Sequence, residues 1–450
     1  MKPGAPLVAA SLLWAALGAG AFFFDGLALV WSACGLCLLL FIIGDAWALR
    51  FFTAPLSVRR EVGPCLSVGT AAPVTLSITA GPGLTGQGKK PLPRRILLFD
   101  LYPRSMQCAA FPARLGLRRL KKGGELGFTY TITPFERGAW RFEGVEILLF
   151  SPLGLWRRKT RLPCGSAGRS YPDFKRMRAY AGSDLRGILE RPGVKEIRRR
   201  GQGMEFQSLR EYQKGDSVRA IDWRATGRRG KVIIRDYKEE QDQQVLLLLD
   251  AGYRLHRREE GRGVRRTQFD SALEAALLVG YTALKHGDSV GAGSFGNAER
   301  WLAPRKGRAA FPALMNGLYD LKSAPVPSSL FSGLENALSR LRRRTFIMLI
   351  SNFREEDGES LSWILSRIQR RHLLLMVSLR EQEAESLALQ DMDSLDAALE
   401  RAAAFSYLVS RRTLYKKWEH AGLLTLEASS SRLSASLINR YLEVKRSGRL

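Results

Sequence analysis

At 450 residues the chain is longer than one domain usually holds, so two or three units are expected. Its apolar content of 45% is that of a folded protein and excludes a disordered chain. A net charge of +27 points to an anionic neighbour: nucleic acid, lipid headgroups or an acidic partner protein.

Ala5 to Phe24 and Leu27 to Gly44 are uncharged and almost wholly apolar. Each approaches the roughly 20 residues that a helix needs to cross a bilayer. Asp25 and Gly26 separate them, which predicts a hairpin of two transmembrane helices over residues 1–50. The competing reading is a cleaved signal peptide followed by one span. The lone Lys2 and the length of the first apolar stretch favour the hairpin. Lys2 precedes the first stretch, Arg50, Arg59 and Arg60 follow the second, and the connecting loop is acidic. The positive-inside rule then places both ends in the cytoplasm, anchored to the inner membrane. An anionic cytoplasmic leaflet accounts for the charge without nucleic acid. The sequence also lacks a helix-turn-helix or a basic-aromatic module.

The five cysteines, Cys34, Cys37, Cys65, Cys108 and Cys164, are odd in number and irregularly spaced. In a reducing compartment they predict free thiols. Cys34 and Cys37 form a C-x-x-C inside an apolar span, where they read as small packing residues. His256, His286, His372 and His420 are scattered, without metal-ligand spacing.

Residues 51–171 read as a small β-sandwich-like domain. The runs "APVTLSIT" (72–79), "RRILLFDLY" (94–102), "LGFTYTITP" (126–134) and "VEILLF" (145–150) are separated by turn clusters. The cluster "GPGLTGQGKK" (81–90) superficially resembles a phosphate-binding loop but lacks its G-K-[ST] ending and a following helix. "SPLGLWRR" (151–158) reads as a bend followed by an aromatic anchor. Residues 172–243 are strongly basic, with "EIRRR" at 196–200 and one strand candidate at 231–237.

From residue 244 to 450 strands alternate with helices, which predicts a doubly wound α/β domain. "QVLLLLD" (244–250), 288–295, 345–351, 372–379 and 422–429 read as strands. Helices are expected at 270–287, 329–343, 359–371, 393–419 and 431–446. Ligands bind at the carboxyl ends of strands in such sheets, which makes Asp250, closing the first strand, the leading site candidate.

This arrangement resembles a von Willebrand factor A domain. The resemblance implies a metal held by D-x-S-x-S, a loop Thr and a later Asp. Here Asp250 keeps the first acid, but Gly252 and Arg254 replace the serines and Asn352 replaces the later acid. Ser328, Ser329 or Ser332 stands near the Thr position. Arg254 would bring a cation to where a hard ion such as Mg²⁺ needs oxygens. No cofactor is therefore expected, and Asp250 reads as the cap of a loop at a strand end.

The stretch "LREYQKGDSVRAIDW" (209–223) is too polar for a core strand and too patterned for a featureless loop. With Phe206 it follows F-x-x-L-R-x-Y-x-x-G-D-x-x-R-x-I-x-W through Leu209, Arg210, Tyr212, Gly215, Asp216, Arg219, Ile221 and Trp223. It resembles the signature of domain-of-unknown-function family fifty-eight, a bacterial, von Willebrand factor A-like, membrane-anchored family. That family usually has Asp where Ser151 stands. The resemblance implies a MoxR-type AAA+ ATPase as partner and names no reaction.

Physically, Gly215 and Asp216 suit a turn. Arg210, Arg219 and Arg224 can pair with Glu211, Asp216 or Asp222, and Tyr212 and Trp223 offer faces for guanidinium stacking. A salt-bridged clasp holding residues 172–243 onto the α/β domain is one reading; a partner-docking surface is the other. No nucleophile–base pair is evident, so the expectation is an interaction protein rather than an enzyme. The alternative is a metal-dependent hydrolase or metal-mediated adhesion module using Asp250 and neighbouring acids such as Asp270.

Overall fold

A computed structural model describes residues 1–23, 27–51, 56–80, 95–108, 113–116, 125–173, 205–212, 221–238, 243–259, 266–391 and 394–449. Two compact units, Met1–Tyr171 and Pro172–Leu450, divide the chain.

The first unit begins with β1 (Lys2–Pro3), α1 (Ala5–Ala21) and α2 (Leu27–Phe51). Within α2, Ala28–Arg50 is long and apolar enough to cross a membrane, and Ala5–Gly20 is a shorter apolar helix. The intervening Asp25 and Gly26 lie outside the described residues. The helices pack antiparallel through a reciprocal contact. The Trp14 and Trp31 rings stack at 4.8 Å, and each indole N–H donates to the other's backbone carbonyl at 3.2 Å. Gly18 and Gly35 make this possible, because a Cβ at either would lie 2.6 or 2.8 Å from the facing indole nitrogen. Small residues at the crossing let the two backbones approach closely enough for these contacts.

There follow β2 (Leu56–Val62), β3 (Cys65–Ser67), β4 (Ala72–Ala80), β5 (Arg95–Asp100), β6 (Met106–Gln107) and β7 (Ala113–Gly116). The unit continues through β8 (Glu125–Pro134), β9 (Gly138–Phe142), β10 (Val145–Phe150), β11 (Trp156–Leu162) and β12 (Ser166–Tyr171). One sheet has the order β1-β11-β10-β5-β7 and another β2-β4-β8-β6; β3-β12-β9 form a third, smaller sheet. Alternate residues of β4 and β8 meet those of β5 and β10 in one core, as in a sandwich. Leu49, near the end of α2, joins that core. Asp45, one turn earlier, is buried and accepts from Ser151 Oγ (2.5 Å) and the Leu153 and Leu155 amides (3.0 and 3.2 Å). That carboxylate holds the 151–155 bend.

The sequence places Arg60 among the charges flanking the second span. In the structure it is a core residue, with Arg60 and Asp100 side chains both fully buried. Arg60 Nε donates to Asp100 at 3.0 Å, a second guanidinium nitrogen bonds the other carboxylate oxygen, and Tyr130 Oη donates to Asp100 at 2.5 Å. Burial, then the Asp100 charge, pushes the Tyr130 hydroxyl far above its usual range. Arg60 therefore belongs to the packing of the sandwich.

In the second unit, β13 (Glu205–Glu211), α3 (Trp223–Arg229) and β14 (Ile233–Lys238) form a hairpin with a helical insert. The α/β part runs β15 (Gln244–Asp250), α4 (Gln268–Lys285), β16 (Ser289–Phe295), β17 (Arg300–Arg305), α5 (Ala310–Leu318) and α6 (Leu330–Arg340). It continues through β18 (Thr345–Ile350), α7 (Asp357–Gln369), β19 (Leu373–Leu379), α8 (Gln382–Leu389), α9 (Leu395–His420), β20 (Leu424–Ala428) and α10 (Leu433–Arg446). The sheet order is β17-β16-β15-β18-β19-β20, parallel except for the antiparallel edge β17. β15 and β18 lie inside the sheet and read as continuous apolar runs because both faces are covered. Leu246 and Leu248 face α6, α7 and α9, whereas Leu247 faces α4 and α5.

Candidate functional site

β15 and β18 run side by side and end together, bringing Asp250, Ser351 and Asn352 to one place. Asp250 is fully buried. Its carboxylate accepts from the Gly252 amide at 2.9 Å and from Ser351 Oγ at 2.6 Å. The loop-cap reading of Asp250 describes the first of these bonds; the second ties two strands.

Arg254 leaves a short 3₁₀ turn, Tyr253–Leu255, and crosses this edge. Two of its nitrogens bond the two carboxylate oxygens of Asp357 at 2.6 and 2.9 Å, and one also donates to the Asn352 carbonyl at 2.9 Å. Asp357 is fixed in turn by the Arg354 amide at 2.7 Å. Burial opposes the Arg254 charge, but the Asp357 carboxylate more than offsets this and holds its pKa above the usual arginine range. Asp250 adds to the same attraction.

Asn352 carries the network onward. Its amide nitrogen donates to Gln268 Oε1 at 2.9 Å, and its oxygen accepts from Ser378 Oγ and the Leu379 amide. Ser378 accepts from Arg411 at 2.6 Å, and Arg411 also pairs with Glu427 at 2.9 Å. Burial pushes the neighbouring Tyr415 hydroxyl up to about 12, against the pull of the Arg411 charge. The carboxyl edge is thus filled from Asp250 to Glu427 by bonded polar groups.

Of the three serines at the loop position, Ser328 lies beside Gly252. A Cβ at Gly252 would fall 2.6 Å from the Ser328 Cβ, so a serine does not fit at 252 without moving that loop. Ser329 caps α6 instead, accepting from the Ser332 amide at 3.2 Å. Asp270 closes a capping box with Thr267 at the start of α4. Among the described residues no three His, Cys, Asp or Glu side chains form a group able to hold a metal ion.

The signature stretch is described in part. Gly215, Asp216 and Arg219 lie outside the described residues, as does the Arg210 side chain. Ile221 bridges to Ile234, and the Tyr212 and Asp222 amides bond the Val232 and Ile233 carbonyls. Asp222 caps α3 through the Arg224 and Ala225 amides at 3.0 and 3.1 Å. Glu211 pairs with Lys231 at 2.8 Å, both well exposed. Trp223 is 70% exposed, and Tyr212 and Leu209 are also exposed.

Residues 208–416 match the model of a family described as "Protein of unknown function DUF58". The chain is 20% identical over 190 residues to "Uncharacterized protein YeaD" of Bacillus subtilis (strain 168), covering 42% of this chain. It spans 44% of the length of that relative. Among solved structures it is similar to the conserved hypothetical protein BatB from Bacteroides thetaiotaomicron, at 9% identity and a TM-score of 0.27, over 46% of this chain and 99% of that one. It is also similar to proximal thread matrix protein 1 from the mussel byssus, solved with a zinc-occupied MIDAS motif, at 9% identity and a TM-score of 0.23. That likeness covers 46% of this chain and 45% of the mussel protein.

Proposed function

We propose that the protein is a membrane-anchored interaction factor, not an enzyme. Both apolar helices cross the inner membrane, and the folded units face the cytoplasm. The second unit acts as a von Willebrand factor A-like module on protein partners. A MoxR-type AAA+ ATPase is the partner that the family resemblance implies.

One observation carries the reading. Between β19 and β20, α8 and α9 form a helical pair whose Leu389, Leu395, Leu399, Phe405 and Val409 are exposed. Residues 381–400 hold seven acids and no Lys or Arg, in a chain of +27. Exposed apolar side chains beside an acidic run mark an interaction surface, with Arg401 and Arg412 flanking its Phe405 and Val409 end. The anionic leaflet repels that surface, so its occupant is a protein with apolar and basic groups. Trp223 and Tyr212 add a second set of exposed anchors of the kind favoured at interfaces.

The metal-dependent alternative needs oxygens around Asp250. Arg254 and its carboxylate partner Asp357 occupy that edge, and Gly252 offers no side chain. The Arg254 guanidinium supplies the positive charge that an ion would bring. Added Mg²⁺ is expected to leave the melting temperature unchanged.

The test uses the full chain in lipid nanodiscs and the purified MoxR-type ATPase of the same organism. Binding should weaken about tenfold or more in Leu399→Asp/Phe405→Asp, at unchanged melting temperature. Binding that ignores the double variant moves the surface elsewhere. No binding at all overturns the partner, and a Mg²⁺-dependent rise in melting temperature that Asp250→Ala abolishes favours the alternative.

A further inference from the structure

A cleft of about 930 Å³ opens in the first unit, lined by Lys2, Arg50, Arg157, Arg158, Lys159 and Leu148 among others. Chain geometry puts this cleft at the ends of both apolar helices. Lys2 lies just ahead of α1, and Arg50 is in the last turn of α2. β1 pairs with β11 in the register Lys2–Arg157 and Pro3–Trp156, so the start of one helix and the finish of the other meet at the same strand.

The arrangement is costly for folding alone. Like charges placed directly opposite in an antiparallel pair are destabilising, and Lys2 faces Arg157 in that way. Lys159, two residues on, lies on the same face of β11 as Arg157, whereas the Arg158 side chain between them starts from the other face; no acid lines the cleft among the described residues. Glu146, outside the lining, pairs with Lys159 at 2.6 Å. Arg157 lies 5.7 Å from the Phe150 ring centre, and its Nε is buried without a hydrogen-bond partner. Trp47, one turn before Arg50, is 64% exposed, the placement of an aromatic at a membrane interface. Charges that merely orient a span have no need to converge on a cavity; these do.

We propose that the cleft binds the phosphate of an anionic phospholipid headgroup. The inference rests on the reading that α1 and α2 span the bilayer. The phosphate sits among the cations, and the glycerol end lies along Leu148, toward the apolar helices. A basic pocket at the cytoplasmic ends of membrane helices is a known physical solution for such headgroups. Free phosphate shares the charge but not the apolar end, and the test separates the two.

The full chain, purified in a neutral detergent, is titrated with short-chain phosphatidylglycerol and phosphatidylcholine, and bound lipid is read by native mass spectrometry. Phosphatidylglycerol should bind selectively. Arg157→Gln/Lys159→Gln should lower its apparent affinity about thirtyfold, at about fivefold per cation. Lys2→Gln/Arg50→Gln changes the other wall and guards against a folding defect in β11; it should act in the same direction. Arg412→Gln/Lys416→Gln, on the exposed side of α9 in the other unit, should have no effect. Equal binding by wild type and both cleft variants, or equal binding of phosphatidylcholine, overturns the proposal. Displacement by inorganic phosphate at the concentration of the lipid overturns the lipid as source. Alkaline extraction of native membranes tests the underlying reading separately. A chain released by alkali overturns the anchor, whereas a retained chain without lipid selectivity overturns the cleft alone.

Discussion

At the amino end of the six-stranded sheet a lysine and an aspartate are sealed from water; at the carboxyl end an arginine and an aspartate lie under thinner cover. Lys445 reaches from α10 to both oxygens of Asp288 at 2.8 and 2.9 Å, and Tyr441 donates to the same carboxylate at 2.5 Å. These side chains are 3% and 0% exposed, against 8% for each of Arg254 and Asp357. The Asp288 carboxylate takes its side-chain bonds from one helix, α10, so the pair locks the last helix to the sheet. Arg254 instead joins a network running through Asn352 and Ser378 to Arg411. One end seals the fold, and the other positions the loops that carry its surfaces.

Removing a charge at each end measures that contrast. Lys445→Ala should have the largest effect, about 3–5 kcal/mol, because it leaves Asp288 buried and unpaired. Thermal unfolding of the full chain in detergent reads it, and a loss below 1 kcal/mol would make the two ends alike. Arg254→Ala should cost about 2 kcal/mol, since water can reach Asp357 once the guanidinium is gone. If it costs as much as Lys445→Ala, the carboxyl edge is as sealed as the amino end. Asp250→Ala should cost about 1–2 kcal/mol, the loss of two buried hydrogen bonds without an orphaned charge.

The smallest effect concerns pH. Burial, with help from the Arg371 charge, holds the His372 imidazole below its usual 6.5. His372 opens β19 at the amino end. A pKa depressed by folding gives stability that is present above the unfolded value and lost as pH falls through the folded one. The wild type should therefore lose about 1 kcal/mol or less as pH drops from about 7 to about 5, and His372→Gln should flatten that slope. An unchanged slope would assign the acid sensitivity to other groups.

The apolar runs of β15, β18 and β19 were legible because burial on both faces leaves an uninterrupted hydrophobic word. The edge strand β17 was not. "RWLAPR" mixes Arg and Pro with apolar residues, as a strand paired on one side can. α5 was hidden by Pro312 and Gly317 in a nine-residue helix. The helical stretch expected at 393–419 is α9, and α8 before it is a separate helix packed against it. At the candidate site, strand ends made Asp250 and Asn352 legible as neighbours. The partner of Arg254 was not legible, since Asp357 follows 103 residues later and no local pattern links them. Arg60 shows the same limit: a charge beside an apolar run reads as topogenic until its distant Asp100 is in view.

The pairing of β1 with β11 also orders the making of the protein. Lys2 and Pro3 leave the ribosome before either apolar helix, yet their partners Trp156 and Arg157 come only after most of the sandwich. The first strand therefore waits with open hydrogen-bonding edges until β11 has been made. A bulky fusion ahead of Lys2 would press on this late closure, whereas one after the last helix would not.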